Sequence, residues 1–170
     1  MKSVFLLVFL LLFSPNQMFA ATAKAIIQGT QEGSELLGST DFQDTDEGLR
    51  VQVNIFGAPP GLHGIHIHEN GSCEDQGNAA GSHFNPDNAK HGSLTANGLQ
   101  GAHAGDLGNI EINESGEGAL FLVAPGLTVK EGKYAVDGRA VILHEKQDDF
   151  GQPTGNAGGR IGCGIIKAEE

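Results

Sequence analysis

Tryptophan is absent, tyrosine occurs once, cysteine and methionine twice each, and only ten lysines and arginines stand against 21 acidic residues. With a formal charge of −11, the chain lacks the clustered basic side chains that phosphate binding requires, so a nucleic-acid partner is not expected. The acidity instead favours solubility. Long apolar runs are also missing. Val4–Phe13 spans ten residues, too few to cross a bilayer. It follows Lys2 and precedes a break at Pro15 and small residues at Ala20, Ala21 and Ala23, which is the layout of a secretory signal peptide. Residues 1–20 therefore read as a leader with cleavage at about 20–23, and residues 21–170 as one domain with no membrane contact after cleavage. Helical periodicity, internal repeats and coiled-coil heptads are lacking as well.

Export implies an oxidising compartment, in which two cysteines read as one disulfide. Cys73–Cys163 would close a loop of 90 residues, worth on the order of 4–5 kcal/mol in the chain-entropy model. The alternatives are two free thiols or thiolate metal ligands, although thiolate ligands commonly come as close pairs.

What is abundant is glycine, 26 residues, and short alternating segments. Leu49, Val51, Val53 and Ile55 are apolar while Arg50, Gln52 and Asn54 are polar, the period-2 pattern of a half-buried strand. Ala23–Gly29, Leu62–His68, Gly108–Ile112, Ala119–Val123, Arg139–His144 and Ile161–Lys167 read the same way. Turn clusters such as Ala58-Pro59-Pro60-Gly61, Pro125-Gly126 and Asp137-Gly138 separate them. The fold class is all-β, an antiparallel sandwich or flattened barrel of seven or eight strands.

One region breaks this rhythm. From Glu69 to Gly105, 37 residues carry seven glycines and no apolar period. A loop that long must be functional or otherwise tied down. Cys73 and three histidines lie within it. A metal held by His83, His91, His103 and Asp106 would pin it, with binding energy acting as folding energy.

The seven histidines divide by strand parity. His66 and His68 share one face of a strand; His63, Ile65 and Ile67 share the other. The isoleucines belong in the core, so His66 and His68 lie on the outer face beneath the long loop, and His63 is a buried histidine bonded to backbone. An all-imidazole set suits copper as well as zinc, and a mixed nitrogen and oxygen set suits a closed tetrahedral zinc site.

These residues carry a resemblance. Gly61-Leu62-His63-Gly64-Ile65-His66-Ile67-His68-Glu69 and Gly155-Asn156-Ala157-Gly158-Gly159-Arg160-Ile161-Gly162-Cys163-Gly164 resemble the two signatures of the copper/zinc superoxide dismutases. His83-Phe84-Asn85-Pro86, Lys90-His91-Gly92, His103-Ala104-Gly105-Asp106-Leu107-Gly108-Asn109 and Leu143-His144-Glu145-Lys146 match between them, in order. The resemblance covers the whole mature chain and implies an eight-stranded Greek-key barrel with long metal-binding and active-site loops.

By position, the resemblance implies His66, His68, His83 and His144 as copper ligands, and His83, His91, His103 and Asp106 as zinc ligands, with His83 shared. Arg160 would attract the anionic substrate, and His83 and Arg160 would be the catalytic pair. Thr154 would line the access channel. Asp148 would hydrogen-bond one ligand of each metal. One copper and one zinc per subunit are implied. The implied reaction is dismutation of superoxide to dioxygen and hydrogen peroxide, by alternating reduction and reoxidation of copper, as antioxidant defence outside the cytoplasm. The alternatives are a metal-binding or copper-delivery protein on the same fold, and a copper-only enzyme; the full ligand set and Arg160 speak against both.

Three segments depart from the familiar eukaryotic pattern. Four residues separate His68 from Cys73, too few to assume the same dimer, so homodimer and monomer both stay open. The stretch from His91 to His103 is longer. The segment from Lys146 to Gly159 is shorter, and Lys146 would have to replace lost steering charge. With the leader, the short gap points to a bacterial-type enzyme, periplasmic or otherwise secreted.

Overall fold

A computed structural model describes residues 20–170, so the expected leader lies, apart from Ala20, outside the described residues. Nine strands follow: β1 (Thr22–Gly29), β2 (Leu37–Thr45), β3 (Gly48–Phe56), β4 (Gly61–His68), β5 (Asp106–Ile112), β6 (Gly118–Ala124), β7 (Ala140–His144), β8 (Arg160–Ile165) and β9 (Lys167–Ala168). Hydrogen bonding runs in the order β2-β3-β6-β5-β4-β7-β8-β1, and a β1–β2 pairing closes the ring, with β9 added beside β1. The result is an eight-stranded antiparallel barrel. β3 returns to lie beside β6 across the β4-β5-β6 meander, which is a Greek key.

Alternation decides which faces are inside. Leu49, Val51, Val53 and Ile55 of β3 are fully buried, and meet Ala25 and Ile27 of β1, Ile65 and Ile67 of β4, Ile110 of β5 and Val141 and Leu143 of β7. A smaller cluster, Ala80, Ala140, Ile142 and Cys163, lies under the loop after β4, against the Cys73–Cys163 disulfide. The cysteines are thus paired as expected. β2 was not legible as a strand, because its inward positions include Gly38 and Thr40, and only Phe42 supplies a large apolar side chain. The segment expected as Ile161–Lys167 is divided into β8 and β9 at Ile166.

The ring is not joined equally all round. β2 and β3 match over nine register pairs and β3 and β6 over seven. β5 and β6 meet only at Ile112 and Gly118, and β1 and β8 at Gln28–Cys163 and Gly29–Gly162. Two bulges fall at one end of the barrel. Between Ile65 and His66 the β4–β5 register slips past Leu107, and Gly108 takes φ +97°. Between Leu143 and His144 the β7–β8 register slips past Ile161. A bulge re-aims the side chains beside it, and those side chains are His66, Asp106, His144 and Arg160.

The long segment after β4 contains only a 3₁₀ turn at Asn78–Ala80 and one helical turn, α1 (Leu94–Asn97). It is anchored by Phe84 and Leu94, both buried in the main core. Among the described residues, no helix is long and apolar enough to cross a membrane.

Thr40 is fully buried and its hydroxyl has no hydrogen-bond partner. An unpaired buried hydroxyl costs about 1–3 kcal/mol. Thr40→Val keeps the shape and removes that cost, so the urea midpoint should rise by an amount equivalent to about 1 kcal/mol; a lower midpoint would show that the hydroxyl is satisfied.

Candidate metal centre

The site is assembled on the outer face of β4. His66 and His68 point away from the isoleucines, as parity requires, and His144 joins them from the end of the neighbouring β7. His83 arrives from the loop on a short ladder of its own. Phe84 N–H donates to the Ile67 carbonyl at 2.8 Å and Glu69 N–H to the Ser82 carbonyl at 2.9 Å, which sets His68 opposite His83. The four rings form one buried group whose ligand atoms lie within 4.8 Å of one another.

A second group, His83, His91, His103 and Asp106, meets the same limit. Asp106 organises it. One carboxylate oxygen accepts from the backbone N–H of Gly92 and of His103, both at 2.9 Å, while the other lies 2.8 Å from His83 Nδ1 and 3.1 Å from His103 Nδ1. His83 belongs to both groups. His63 belongs to neither: it is buried, its Nδ1 lies 2.8 Å from the His144 carbonyl oxygen and its Nε2 2.9 Å from that of Pro59.

Asp148 joins the two groups. Its fully buried carboxylate lies 2.9 Å from both His66 Nε2 and His91 Nε2. Each ring is thereby tied by one nitrogen, and the other nitrogen, Nδ1 of His66 and of His91, is buried without a hydrogen-bond partner. Asp106 does lie 3.0 Å from His91 Nδ1, but out of hydrogen-bonding alignment. Buried polar atoms of this kind are rare. Two orphaned imidazole nitrogens, each within a group of ligand-bearing side chains, are what a metal would satisfy. The donor chemistry fits: four imidazoles on one side, and three imidazoles with a carboxylate on the other.

For His68, His83 and His144 protonation supports the same fit, since metal binding requires neutral imidazole. Burial, followed by the charge of neighbouring histidines, pushes His68 down to about 2. Burial pushes His144 down to about 3, and His83 to about 4 against the opposing pull of Asp106. For His91 burial acts downward, but the Asp106 and Asp148 carboxylates beside it outweigh it and hold the ring up at about 9. Burial works against both carboxylates, yet their histidine partners keep Asp106 and Asp148 well below the usual carboxylate range.

Arg160 lies at the start of β8. Its guanidinium donates to the carbonyl oxygens of Gly77 at 2.5 Å and Gly81 at 2.6 Å, so the disulfide-bearing loop fixes it in place. With Thr154, His68, His83 and His144 it lines a cavity of about 190 Å³. Lys146, the expected steering charge, lies beside Gly158, which lines the same cavity.

Several supporting residues went unrecognised in the sequence. The Asn109 side chain donates to the Asp148 carbonyl at 2.9 Å and accepts from its N–H at 2.8 Å. Gln152 grips the His91 backbone in the same two-handed way, at 2.8 and 3.1 Å. Gly155 has φ +78°, and a Cβ there would lie 1.9 Å from Asp148 Oδ1. Asn109 and Gly155 lie in the matched motifs; the contact of Gln152 left no local signal.

The family model for copper/zinc superoxide dismutase matches residues 36–166. An extracellular superoxide dismutase [Cu-Zn] of Caenorhabditis elegans is 39% identical over 158 residues, covering 87% of this chain and 70% of that protein. Superoxide dismutase [Cu-Zn] 2 of Aquifex aeolicus is 34% identical over 165 residues, covering 93% and 94% respectively. A solved structure of the clock protein EA4 superposes with a TM-score of 0.77 at 37% identity, covering 87% of this chain and 94% of that one.

The shifted groups make the metal-free fold sensitive to pH in both directions. His68, His83 and His144 have folded pKa values below the unfolded value of about 6.5, so the unfolded chain binds more protons as pH falls. Their contribution is whole above about pH 6.5 and is lost down through 2 to 4. Asp106 and Asp148 add to that loss below about pH 4. His91 has the opposite sign: its contribution is whole below about pH 6.5 and is lost as pH rises through about 9. The melting temperature of the metal-stripped chain should therefore peak near pH 6.5. A midpoint constant from pH 6.5 to pH 4 contradicts neutral burial of these rings.

Proposed function

The chain belongs to the copper/zinc superoxide dismutase family, and we propose that it dismutates superoxide with copper held by His66, His68, His83 and His144 and zinc by His83, His91, His103 and Asp106. The observation that carries this reading is the Asp148 carboxylate, which ties His66 and His91 by Nε2 and leaves Nδ1 of each without a partner. Copper supplies one-electron oxidation and reduction of superoxide, and zinc a fixed charge and anchor for the shared ligand. The protein does the rest.

His83 turns Nδ1 towards Asp106 and the zinc set, so Nε2 is the nitrogen that would be left for the copper set. When not holding the metal, that Nε2 would carry one of the two protons that peroxide formation consumes. Arg160 is permanently charged and is held rigidly by loop carbonyls at the cavity wall, where it attracts superoxide against the field of an acidic chain. Thr154 narrows the channel beside it. Asp148 and the bonds of Asn109 to its backbone fix ring orientation. A copper-delivery role is less well supported, because a built anion site at Arg160 serves turnover rather than metal handover.

The site of action is proposed to be outside the cytoplasm, with the periplasm as the specific compartment. Relatives named as extracellular and the leader over residues 1–20 support export. Cleavage at Ala20–Ala21 leaves β1 whole, whereas cleavage after Ala23 removes a core residue. For the assembly we favour a homodimer. Ile26, Leu37 and Phe56 are each more than half exposed, and Leu37 pairs directly with Phe56; this is the surface we assign to the contact. Light scattering on the metallated protein that returns the mass of one chain overturns this assignment.

His144→Ala should lose copper and activity while the barrel melts as before; wild-type turnover in the fully metallated variant removes His144 from the ligand set. Arg160→Ala should lower the bimolecular rate by roughly 10–100-fold and flatten its salt dependence. An unchanged rate at low salt contradicts the capture role.

A further inference from the structure

We propose that Arg139 is a positioning residue for the shared ligand, clamping the short ladder that sets His68 against His83. The proposal rests on the metal-binding reading above. Arg139 immediately precedes β7, and its guanidinium carbon lies 3.4 Å from the centroid of the Phe84 ring. Nη1 donates to the Glu69 carbonyl at 3.0 Å and Nε to the Ala135 carbonyl at 2.8 Å. Glu69 follows His68 and Phe84 follows His83. One planar group therefore touches both strands of the ladder, one residue beyond each ligand.

The ladder needs such a clamp. His83 sits in irregular chain, held beside the end of β4 by the Phe84–Ile67 and Glu69–Ser82 backbone bonds and by the Ser82 N–H donating to the Glu69 carboxylate, while Gly105 N–H donates to the Phe84 carbonyl from the far end of the loop. The ring centroids of His68 and His83 are 4.9 Å apart, so a small slide of one segment past the other changes the distance a common metal must bridge. Phe84 is 3% exposed and anchors its segment in the core. Arg139 lies across that ring and fastens it to Glu69, so that neither segment slides independently. A lysine would keep the charge over the ring, but its point-like head cannot also hold two carbonyls in the fork geometry of a guanidinium.

Arg139→Ala and Arg139→Lys in the full-length protein test this, with hydrogen exchange read on the metal-free form and the electron paramagnetic resonance of copper(II) on the copper- and zinc-loaded form. Expected for Arg139→Ala are a roughly tenfold faster exchange of the Glu69 and Phe84 amides, an altered copper(II) hyperfine splitting and a roughly tenfold faster release of zinc to a chelator. Arg139→Lys should fall between it and the wild type, and carries the test by itself if the alanine variant does not fold. Unchanged exchange at both amides overturns the clamp. Faster exchange with an unchanged copper spectrum makes Arg139 merely structural and also overturns the proposal. If the unaltered protein takes up neither metal, the metal-binding reading fails, and exchange at the two amides decides the clamp separately.

Discussion

A fully buried carboxylate, Asp148, held between two imidazoles is the constraint on which the site depends. A buried charge is tolerated only when it is paired and hydrogen-bonded, and Asp148 finds its partners in three separate parts of the chain. His66 comes from the barrel, His91 from the long loop, and the Phe150 N–H from the segment before β8. Satisfying one carboxylate therefore docks two loops onto one strand. It also fixes which nitrogen of each ring is consumed, and so which remains for a metal. Gly155 is glycine because its backbone passes against that carboxylate in a left-handed conformation.

This arrangement explains how a loop of little apolar content is held. Residues 69–105 contribute Phe84, Leu94, Ala102 and Ala104 to the main core, too little by itself to offset the ordering of so many residues. The disulfide secures one end of the loop and Asp106 the other, with His83, His91 and His103 converging on that carboxylate. The same loop then positions chemistry: carbonyls of Gly77 and Gly81 orient Arg160, and the Gly81 carbonyl also lies 2.9 Å from His68 Nδ1. Stability and function draw on the same few bonds.

Much of this was legible in the sequence because it was local. A period of two separated His66 and His68 from His63, and the burial of His63 between two carbonyls follows that parity. The strands with apolar alternation were visible for the same reason, while β2 was hidden by a glycine and a threonine at inward positions. The proposed ligand set came from motifs, which report spacing along the chain. What stayed hidden was contact between distant positions: Asn109 with Asp148, Gln152 with His91, and Arg139 with Phe84 lie 39, 61 and 55 residues apart. Amide and guanidinium side chains on a barrel surface look alike in sequence whether they face water or a carbonyl.

The uneven joining of the ring gives the molecule two leaves. β1, β2, β3 and β6 form one, and β4, β5, β7 and β8 the other, stitched by a single register pair on one side and two on the other. Every proposed ligand, with Asp148 and Arg160, lies on the second leaf or on loops between its strands. Spreading the leaves breaks few backbone bonds, whereas shifting β4 against β7 breaks many. The outward face of the first leaf, with Ile26, Leu37 and Phe56, lies away from the histidines, so a change there leaves the distances among them untouched. The barrel is thus divided between a chassis that tolerates change and an instrument that does not.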